Sequence, residues 1–323
     1  MNINKSILIV TGEPNSIFFE IFFKNLKQKK FKSPLIIISS EKILKLQMKY
    51  YNYKKKIRVL DYKKLNKYNI DNKSINLINI DYNQVRPFEK ISSKSNNYIK
   101  QSFSLAFRVI KKYNIVKFIN GPIVKKTFLQ KKYLGITEYI SEKFNSKSNA
   151  MLIYNKNLSV CPITTHLPLK SVAKKITKPN IYEKTKLIND FYKKEFNKKP
   201  KIAILGLNPH CESILKFNED EKIIKPTVKF LIKKGFNISG PYSADTFFIK
   251  KNREKFDVVL GMYHDQVLTP IKTLYEYNAI NITLGLPFIR ISPDHGPNEK
   301  MIGKNLSNPL SLFQAINFLD NNW

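Results

Sequence analysis

The stretch Gly261–Gly296 reads GMYHDQVLTPIKTLYEYNAINITLGLPFIRISPDHG and interleaves apolar runs with scarce polar residue types. Short apolar runs such as INITL and FIRI predict buried strands. The stretch holds two of the chain's four histidines and one of its five arginines. Its polar side chains of interest are His264, Asp265, Gln266, Lys272, Asn281, Arg290, Asp294 and His295. In a chain dominated by lysine, such residues gathered beside strand ends indicate a functional site.

Apolar strands alternate with helical segments through the rest of the chain. The predicted strands are Ser6–Thr11, Pro34–Ser39, Val116–Asn120, Met151–Tyr154, Leu158–Thr164, Ile202–Leu207 and Phe256–Met262. The predicted helices are 16–27, 41–50, 97–113, 125–132, 137–144, 169–176, 178–197, 219–235 and 309–319. Residues 51–93, rich in Tyr, Asn and Lys, show no clear period but contain short strand-like pieces such as IRVL (57–60). Residues 239–246 are interpreted as a turn that opens a short helix. The alternation predicts an α/β fold with a mainly parallel sheet.

The composition is that of a globular protein without a membrane span. Hydrophobic residues make up 42% of the 323, enough for a large core or for two lobes. No apolar run reaches the roughly 18 residues that a membrane span needs. The N-terminal run ILIV is soon broken by Gly12-Glu13-Pro14, which predicts a first strand rather than a signal peptide. Cys161 and Cys211 supply neither a disulfide framework nor a zinc spacing. We therefore expect a cytoplasmic protein.

The net charge of +33 does not indicate nucleic-acid binding here. Only five of the 57 basic residues are arginine, the residue preferred for phosphate forks and base edges. The lysines are spread along the whole chain and form no confined patch. Compositional drift toward lysine explains this charge better than a polyanion site does. The positive field would still attract a small phosphorylated substrate.

Three of the four histidines directly follow predicted strands. His166 comes after LSVCPIT, His210 after IAILGL and His264 after DVVLGMY. In parallel α/β sheets, ligands bind beyond the carboxyl ends of the strands. A lone loop histidine is usually structural, but three in the same topological position favour a shared site. Neutral imidazoles suit zinc, cobalt, iron or nickel and leave open coordination positions for substrate oxygens.

Six short segments occur in an order that resembles a known enzyme family. They are THLPLK (165–170), GLNPH (206–210), SADTFF (243–248), MYHDQ (262–266), NITLGLPFIR (281–290) and DHG (294–296). With TGEP (11–14) and NGP (120–122), they resemble the 4-hydroxythreonine-4-phosphate dehydrogenase family of vitamin B6 biosynthesis. The resemblance covers nearly the whole chain.

The resemblance implies a three-layer α/β/α fold similar to isocitrate and isopropylmalate dehydrogenases, with two lobes and a central cleft. We expect the first lobe to comprise 1–120 with 286–323, and the second, which carries the metal and the dimer contacts, to comprise 121–285. It also implies a homodimer with its active site at the interface.

The implied activity is an NAD- or NADP-dependent oxidation of 4-(phosphooxy)-L-threonine. The resulting 3-oxo acid would decarboxylate to 3-amino-2-oxopropyl phosphate, on the way to pyridoxine 5'-phosphate. One divalent metal per subunit (zinc, magnesium or cobalt) is implied, with His166, His210 and His264 as ligands. This agrees with the strand-end argument. The implied substrate contacts are Thr137, Lys272, Asn281 and Arg290.

Two carboxylates beside the metal positions, Asp245 and Asp265, could orient ligands or accept a proton. A role as a helix cap or turn residue is an equal alternative for each. No G-x-G-x-x-G follows a strand, so a Rossmann dinucleotide site is not supported. The resemblance instead assigns cofactor binding to a loop of the pattern H-G-[TS]-A-x-D-x-A-G. His295, Gly296 and Gly303 fit this pattern, whereas its Asp and both Ala positions are changed.

Three departures keep other functions open. Ile136 stands where the family has a substrate-binding His, and glycine-rich runs after Pro14 and after His210 are replaced by bulkier residues. The alternative enzyme is a paralogous metal- and NAD-dependent dehydrogenase that acts on threonate or erythronate 4-phosphate, or on an aromatic cis-dihydrodiol carboxylate. A metal-binding but non-catalytic relative is disfavoured, because the histidines and the substrate contacts are kept together.

Overall fold

The computed structural model describes residues 3–124, 128, 133, 135–214, 217–293 and 295–321. The chain forms two compact units, Met1–Ile136 with Pro287–Trp323, and Thr137–Leu286. The sequence predicts junctions near residues 120 and 285. Within the described ranges, no helix is long and apolar enough to cross a membrane.

Twelve strands and ten α-helices are described, and short 3-10 turns connect several of them. The strands are β1 Ile7–Val10, β2 Leu35–Ser39, β3 Ile57–Val59, β4 Ile75–Asn79, β5 Lys117–Asn120, β6 Ala150–Tyr154, β7 Ser159–Thr164, β8 Ile202–Leu205, β9 Ile238–Tyr242, β10 Val258–Tyr263, β11 Ile280–Leu284 and β12 Ile289–Pro293. The helices are α1 Phe18–Gln28, α2 Glu41–Tyr50, α3 Asn96–Tyr113, α4 Ile136–Lys143, α5 Lys178–Phe196, α6 Lys225–Lys233, α7 Ala244–Phe247, α8 Lys250–Arg253, α9 His264–Tyr275 and α10 Leu310–Asn321.

The first unit contains six parallel strands in the order β3-β4-β2-β1-β5-β12. Every residue of β1, β2 and β5 is buried, as expected for a parallel sheet covered on both faces. Helices α1 and α3 bury apolar faces rich in phenylalanine. The buried strands and these helix faces form the core of the unit. Because helices cover the sheet, short apolar runs such as ILIV are stable as strands.

The second unit contains six strands in the order β11-β6-β7-β10-β8-β9. Strands β6 and β7 pair antiparallel, as the predicted hairpin requires, and β11 pairs antiparallel with β6. Strands β7, β10, β8 and β9 run parallel to one another. The buried side chains of Val160, Leu205, Val259 and Val267 belong to one core cluster. The predicted mainly parallel α/β class is confirmed.

One prediction about 239–246 is wrong, because Ile238–Tyr242 is a strand rather than a turn. Gly240 has φ +127°, and a Cβ there would lie 2.4 Å from the carbonyl oxygen of Ile204. The Gly-Pro pair therefore marks a close approach of two strands, not a chain reversal. Residues 51–93 contain β3, which coincides with the strand-like piece IRVL, and β4, whose two asparagines interrupt its apolar pattern.

Two predicted helices differ in detail, and one lies almost wholly outside the described residues. The segment 169–176 forms two 3-10 turns, Leu169–Ser171 and Ala173–Lys175, instead of one α-helix. The segment 219–235 begins with a π-helical turn, Asp220–Ile224, before α6. Of the predicted helix 125–132, only residue 128 is described.

Candidate active site

Three neighbouring strands of the second unit deliver one histidine each to the same edge of the sheet. Strand β10 lies between β7 and β8 and is parallel to both. His264 directly follows β10, His166 lies two residues beyond β7, and His210 lies five residues beyond β8. Their arrival at one edge follows from the topology, because the carboxyl ends of adjacent parallel strands coincide.

His166 and His264 lie close together. Their ring centroids are 6.0 Å apart, and the ring planes are inclined by 37°. The Nδ1 atom of His264 lies 2.6 Å from Oδ1 of Asp265, whose side chain is largely exposed. A carboxylate on one ring nitrogen fixes the imidazole orientation and leaves the other nitrogen for a ligand.

His210 lies in a strained turn, Pro209–Cys211. Its φ is +54°, and that of the next residue, Cys211, is +61°. The left-handed region costs of order 1 kcal/mol or more for residues with a side chain, and such strain is concentrated at functional sites. The pKa of Asp245 is lowered by a hydrogen bond from Ser243, with a smaller contribution from the nearby His210. Asp245 therefore lies within electrostatic reach of the histidine.

The chemistry of these residues fits a divalent metal, although the three ligands are not assembled around one point. Imidazole nitrogens suit zinc or cobalt, and two of the three rings already face one another at a strand edge. Within the described part of the chain, no three His, Cys, Asp or Glu side chains are grouped closely enough to hold an ion. The structure thus pairs His166 with His264 and leaves His210 outside that pair.

The predicted substrate contacts of the second unit are partly buried. Lys272, on α9, has its pKa lowered from 10.5 because burial disfavours the charged form. Asn281 is the second residue of β11, and its Oδ1 is buried without a hydrogen-bond partner among the described residues. A buried orphan carbonyl oxygen is costly unless a donor reaches it, which a bound hydroxyl or amino group could do. Thr137 is the second residue of α4 and is half-buried.

The fourth predicted contact, Arg290, belongs to the first unit. It is only 1% exposed within β12, and its Nε donates a hydrogen bond of 2.7 Å to Oδ1 of Asn120. Asn120 ends the neighbouring parallel strand β5. A guanidinium held in this way has a fixed orientation, which suits recognition of a phosphate or carboxylate.

The predicted cofactor residues lie in a segment that is tied to the helices of the first unit. The hydroxyl of Tyr50 donates to the carbonyl oxygen of Gly303 at 2.9 Å, and Gly303 has φ +77°. Glu20 accepts the amide of Ser307 at 2.6 Å, and Lys24 donates to the carbonyl oxygen of the same residue. His295 is half-buried and Gly296 is exposed, while Asp294 lies outside the described residues.

Sequence reasoning missed Asp220 and gave no role to Gln266. Asp220 is fully buried and accepts hydrogen bonds from the loop that carries His210. Gln266 links that loop to the end of β10. The sequence offered no signal for Asp220, because it lies in the charged run EDEK (219–222) and only the structure shows that it is buried.

A mainly parallel α/β sheet with exposed histidines and carboxylates just beyond its strand ends is the architecture of an α/β enzyme. The sequence model of the pyridoxal phosphate biosynthetic protein PdxA family matches residues 30–319. The 4-hydroxythreonine-4-phosphate dehydrogenase of Sulfurihydrogenibium sp. (strain YO3AOP1) is 39% identical over 316 residues, which are 96% of each chain. The enzyme of the same name from Aquifex aeolicus (strain VF5) is 35% identical over 98% of each chain. The chain belongs to the PdxA family.

Solved structures support the same family assignment. The 4-hydroxythreonine-4-phosphate dehydrogenase from Klebsiella pneumoniae has a TM-score of 0.83 and 26% identity, over 97% of this chain and 98% of that one. A terephthalate 1,2-cis-dihydrodiol dehydrogenase from Burkholderia xenovorans LB400 has a TM-score of 0.64 at 18% identity, over 98% of this chain and 97% of that one. The second likeness concerns the fold alone.

Proposed function

We propose that this chain is a 4-hydroxythreonine-4-phosphate dehydrogenase of vitamin B6 biosynthesis. The observation that carries the proposal is its membership of the PdxA family, with relatives of that name aligned along 96–98% of the chain. The reaction removes hydride from C3 of 4-(phosphooxy)-L-threonine to a nicotinamide ring and the hydroxyl proton to a base. The 3-oxo acid then loses its carboxylate as carbon dioxide, and the enolate that remains takes up a proton at C2 to give 3-amino-2-oxopropyl phosphate.

His166, His210 and His264 would hold the divalent metal, which when bound supplies a Lewis acid for the substrate's hydroxyl and for the ketone formed from it. Asp265 holds the His264 ring in one orientation through the bond at Nδ1. Asp265 and Asp245 are both exposed carboxylates beside the histidines, so either can accept the hydroxyl proton. Imidazole ligands accept zinc, cobalt and other divalent ions, which leaves the identity of the metal to availability.

The remaining polar residues bind and orient the substrate. Lys272 supplies a half-buried point charge, and Arg290 a fixed guanidinium, for the phosphate and the carboxylate. The orphan Oδ1 of Asn281 accepts from the substrate's amino or hydroxyl group, and Thr137 contributes a hydroxyl. Each of these groups makes directional contacts, which place C3 for hydride transfer.

The nicotinamide cofactor, NAD or NADP, is assigned to the segment that carries His295, Gly296 and Gly303. The segment is anchored by Tyr50 and by the Glu20–Lys24 pair, so its backbone is held in place. Lys300 stands at the acidic position of the family pattern. A lysine at this position reverses the charge of the pattern's carboxylate, which makes the segment more tolerant of the anionic 2'-phosphate of NADP.

Assembly as a homodimer with the active site at its interface belongs to the same proposal. Leu169 and Ile214 are exposed apolar side chains in the loops that carry His166 and His210. Exposed apolar residues around a polar site are typical of a surface that another chain covers. A second copy could also complete a metal site that one described copy does not assemble.

The test is a steady-state assay with 4-(phosphooxy)-L-threonine, compared with D-threonate and D-erythronate 4-phosphate. We expect NAD(P)H formation with the first substrate and release of carbon dioxide in equal amounts. Because Ile136 stands where relatives have a substrate-binding His, the assay is repeated with Ile136→His. Turnover of a sugar-acid phosphate alone, in both proteins, would transfer the assignment to the paralogous dehydrogenases.

A further inference from the structure

Asp220 organises the loop that presents His210. It is fully buried at the start of the π-helical turn, and both of its carboxylate oxygens face the chain just after β8. Its Oδ1 accepts the amide of Leu207 at 2.8 Å, and its Oδ2 accepts the backbone and side-chain amides of Asn208 at 3.0 and 2.8 Å. One carboxylate therefore satisfies three donors within three residues of His210.

Gln266 joins the same loop to the turn that presents His264. Its Oε1 accepts the amide of Met262 at 2.7 Å, and its Nε2 donates to the carbonyl oxygen of Gly206 at 2.7 Å. The last paired residues of β10 and β8 are Leu260 and Ile204. The side-chain amide thus acts as one more rung between two strands beyond the point where their backbones separate.

Gly206 makes room for this arrangement. A Cβ at this position would lie 2.6 Å from Sγ of Cys211 and 2.7 Å from Oδ1 of Asp220. Such distances require the carboxylate or the His210 turn to move. The glycine, the carboxylate and the turn are therefore closely packed against one another.

We propose that Asp220 and Gln266 form a strand-end clamp, a pair of positioning residues that fix the His210 turn against the His264 turn for metal binding. This inference rests on the proposed metal site. Neither residue is assigned a contact with substrate or metal; both act through the backbone of the loops that carry the ligands. The clamp also maintains the strained left-handed conformation at His210 and Cys211, which an isolated loop would not keep.

Loss of the clamp should reduce metal affinity, whereas loss of a comparable buried carboxylate elsewhere should reduce only folding stability. Groups that orient metal ligands typically contribute about 10- to 100-fold to metal affinity or activity. In Asp220→Asn, one oxygen is replaced by an NH2 group that faces a donor, so at least one of the three hydrogen bonds is lost. We expect the Kd for zinc or cobalt to rise by about 10- to 100-fold.

The experiment compares Asp220→Asn with Asp320→Asn in the full chain. Asp320 is a matched control, because it is also buried and accepts two backbone amides, from Lys32 and Ser33, in the first unit. Metal-free protein is titrated with Zn²⁺ against a chelating indicator and with Co²⁺ by its visible absorption. Thermal unfolding without metal is measured in parallel. We expect both variants to lose stability, and only Asp220→Asn to lose metal affinity and to change the Co²⁺ spectrum.

His210→Ala separates the two ways in which the inference could fail. If wild type and His210→Ala bind metal alike, the proposed site itself is wrong. If His210→Ala loses metal but Asp220→Asn binds it as wild type does, the site stands and the clamp is refuted. Should Asp220→Asn not fold, Gln266→Leu removes the other half of the clamp. We expect a similar loss of affinity, and wild-type affinity in that variant would equally overturn the inference.

Discussion

The two units place polar residues at the carboxyl ends of their parallel strands in opposite ways. In the first unit these residues are buried and bonded to one another: Ser95 donates to Glu13 at 2.7 Å, and Ser39 pairs with the hydroxyl of Tyr98 at 3.0 Å. In the second unit the corresponding residues include His166 and His210, which are exposed. The same topological position therefore carries a buried, hydrogen-bonded network in one unit and exposed histidines in the other.

The difference lies in solvation. Glu13 is desolvated, and its pKa is raised mainly by burial. Asp245 is exposed, and hydrogen bonding holds its pKa below the usual value. A carboxylate kept ionised beside a histidine can take part in chemistry at neutral pH, whereas a buried network chiefly stabilises the fold. Strand-end position alone does not identify a site; position combined with exposure does.

The largest effect on activity is expected for His264→Ala, which removes one of the histidines at the strand ends of the second unit. We expect kcat/KM to fall by about 10³-fold or more, since a metal contributes several kcal/mol and each 1.36 kcal/mol is tenfold. The paired variant in the buried network is Tyr98→Phe, which removes the bonds to Ser39 and to the Ser40 amide.

Tyr98→Phe should lower the free energy of unfolding by about 1–3 kcal/mol and leave kcat/KM unchanged. Denaturant unfolding and steady-state kinetics measure both quantities. Equal losses of activity in the two variants would contradict the distinction between the strand-end histidines and the buried network.

A smaller effect is expected for Lys272→Met. Loss of a charge-assisted hydrogen bond of about 1.5–3 kcal/mol should raise KM by about 10- to 100-fold. Because burial lowers the pKa of Lys272, the wild type should lose substrate affinity as pH rises toward that pKa, below 10.5. The pH profile of kcat/KM should keep this alkaline limb in wild type and lose it in Lys272→Met. A profile with the same limb in both proteins would assign the limb to another group.

The buried network is tested by Glu13→Gln. The folded-state pKa of Glu13 is raised above its ordinary value of 4.5, so the folded protein binds this proton more tightly than the unfolded chain. Wild-type stability should therefore fall as pH rises from about 4.5 through the folded pKa. We expect the variant to match wild type near pH 4 and to exceed it near pH 8, in urea unfolding at each pH. A constant difference across this range would mean that Glu13 does not titrate as inferred.

The smallest effect concerns the cofactor segment of the first unit. Tyr50→Phe removes the hydrogen bond to Gly303, on a side chain that is half exposed. A bond of about 0.5–1.5 kcal/mol corresponds to a rise of about 2- to 10-fold in KM for the cofactor, with little change in kcat. Lys45→Ala is a suitable control, because its exposed pair with Glu41 contributes little. If Tyr50→Phe changed KM for the phosphorylated substrate and not for the cofactor, the segment would bind the substrate rather than the cofactor.

Much of this fold was predictable from local patterns. Buried runs such as Ile7–Val10 and Leu35–Ser39 are apolar because both faces of a parallel sheet are covered. The strand-end positions of His166, His210 and His264 followed from the same patterns. The edge strand Ile57–Val59 falls in the strand-like piece IRVL, but its half-exposed residues and lysine-rich flanks make its signal weaker than that of the buried strands.

The residues that hold the histidine loops in place were harder to predict from the sequence. The bonds of Asp220 to the His210 loop join residues 12 and 13 positions apart around a turn whose conformation is set by packing. The amide of Gln266 reaches a strand 60 residues earlier in the chain. Local propensity cannot specify such contacts, because they depend on which strands become neighbours.

The division of the chain between the units has a consequence for folding during synthesis. The second unit is one continuous segment, 137–286, so it can fold as soon as it leaves the ribosome. The first unit needs β12 to cover the edge of β5, and needs Asp320 to bind the amides of Lys32 and Ser33. The edge of β5 therefore stays uncovered until residues 289–293 have been synthesised. The unit that carries His166, His210 and His264 can thus be complete first, and the first unit is the part of the nascent chain more exposed to aggregation.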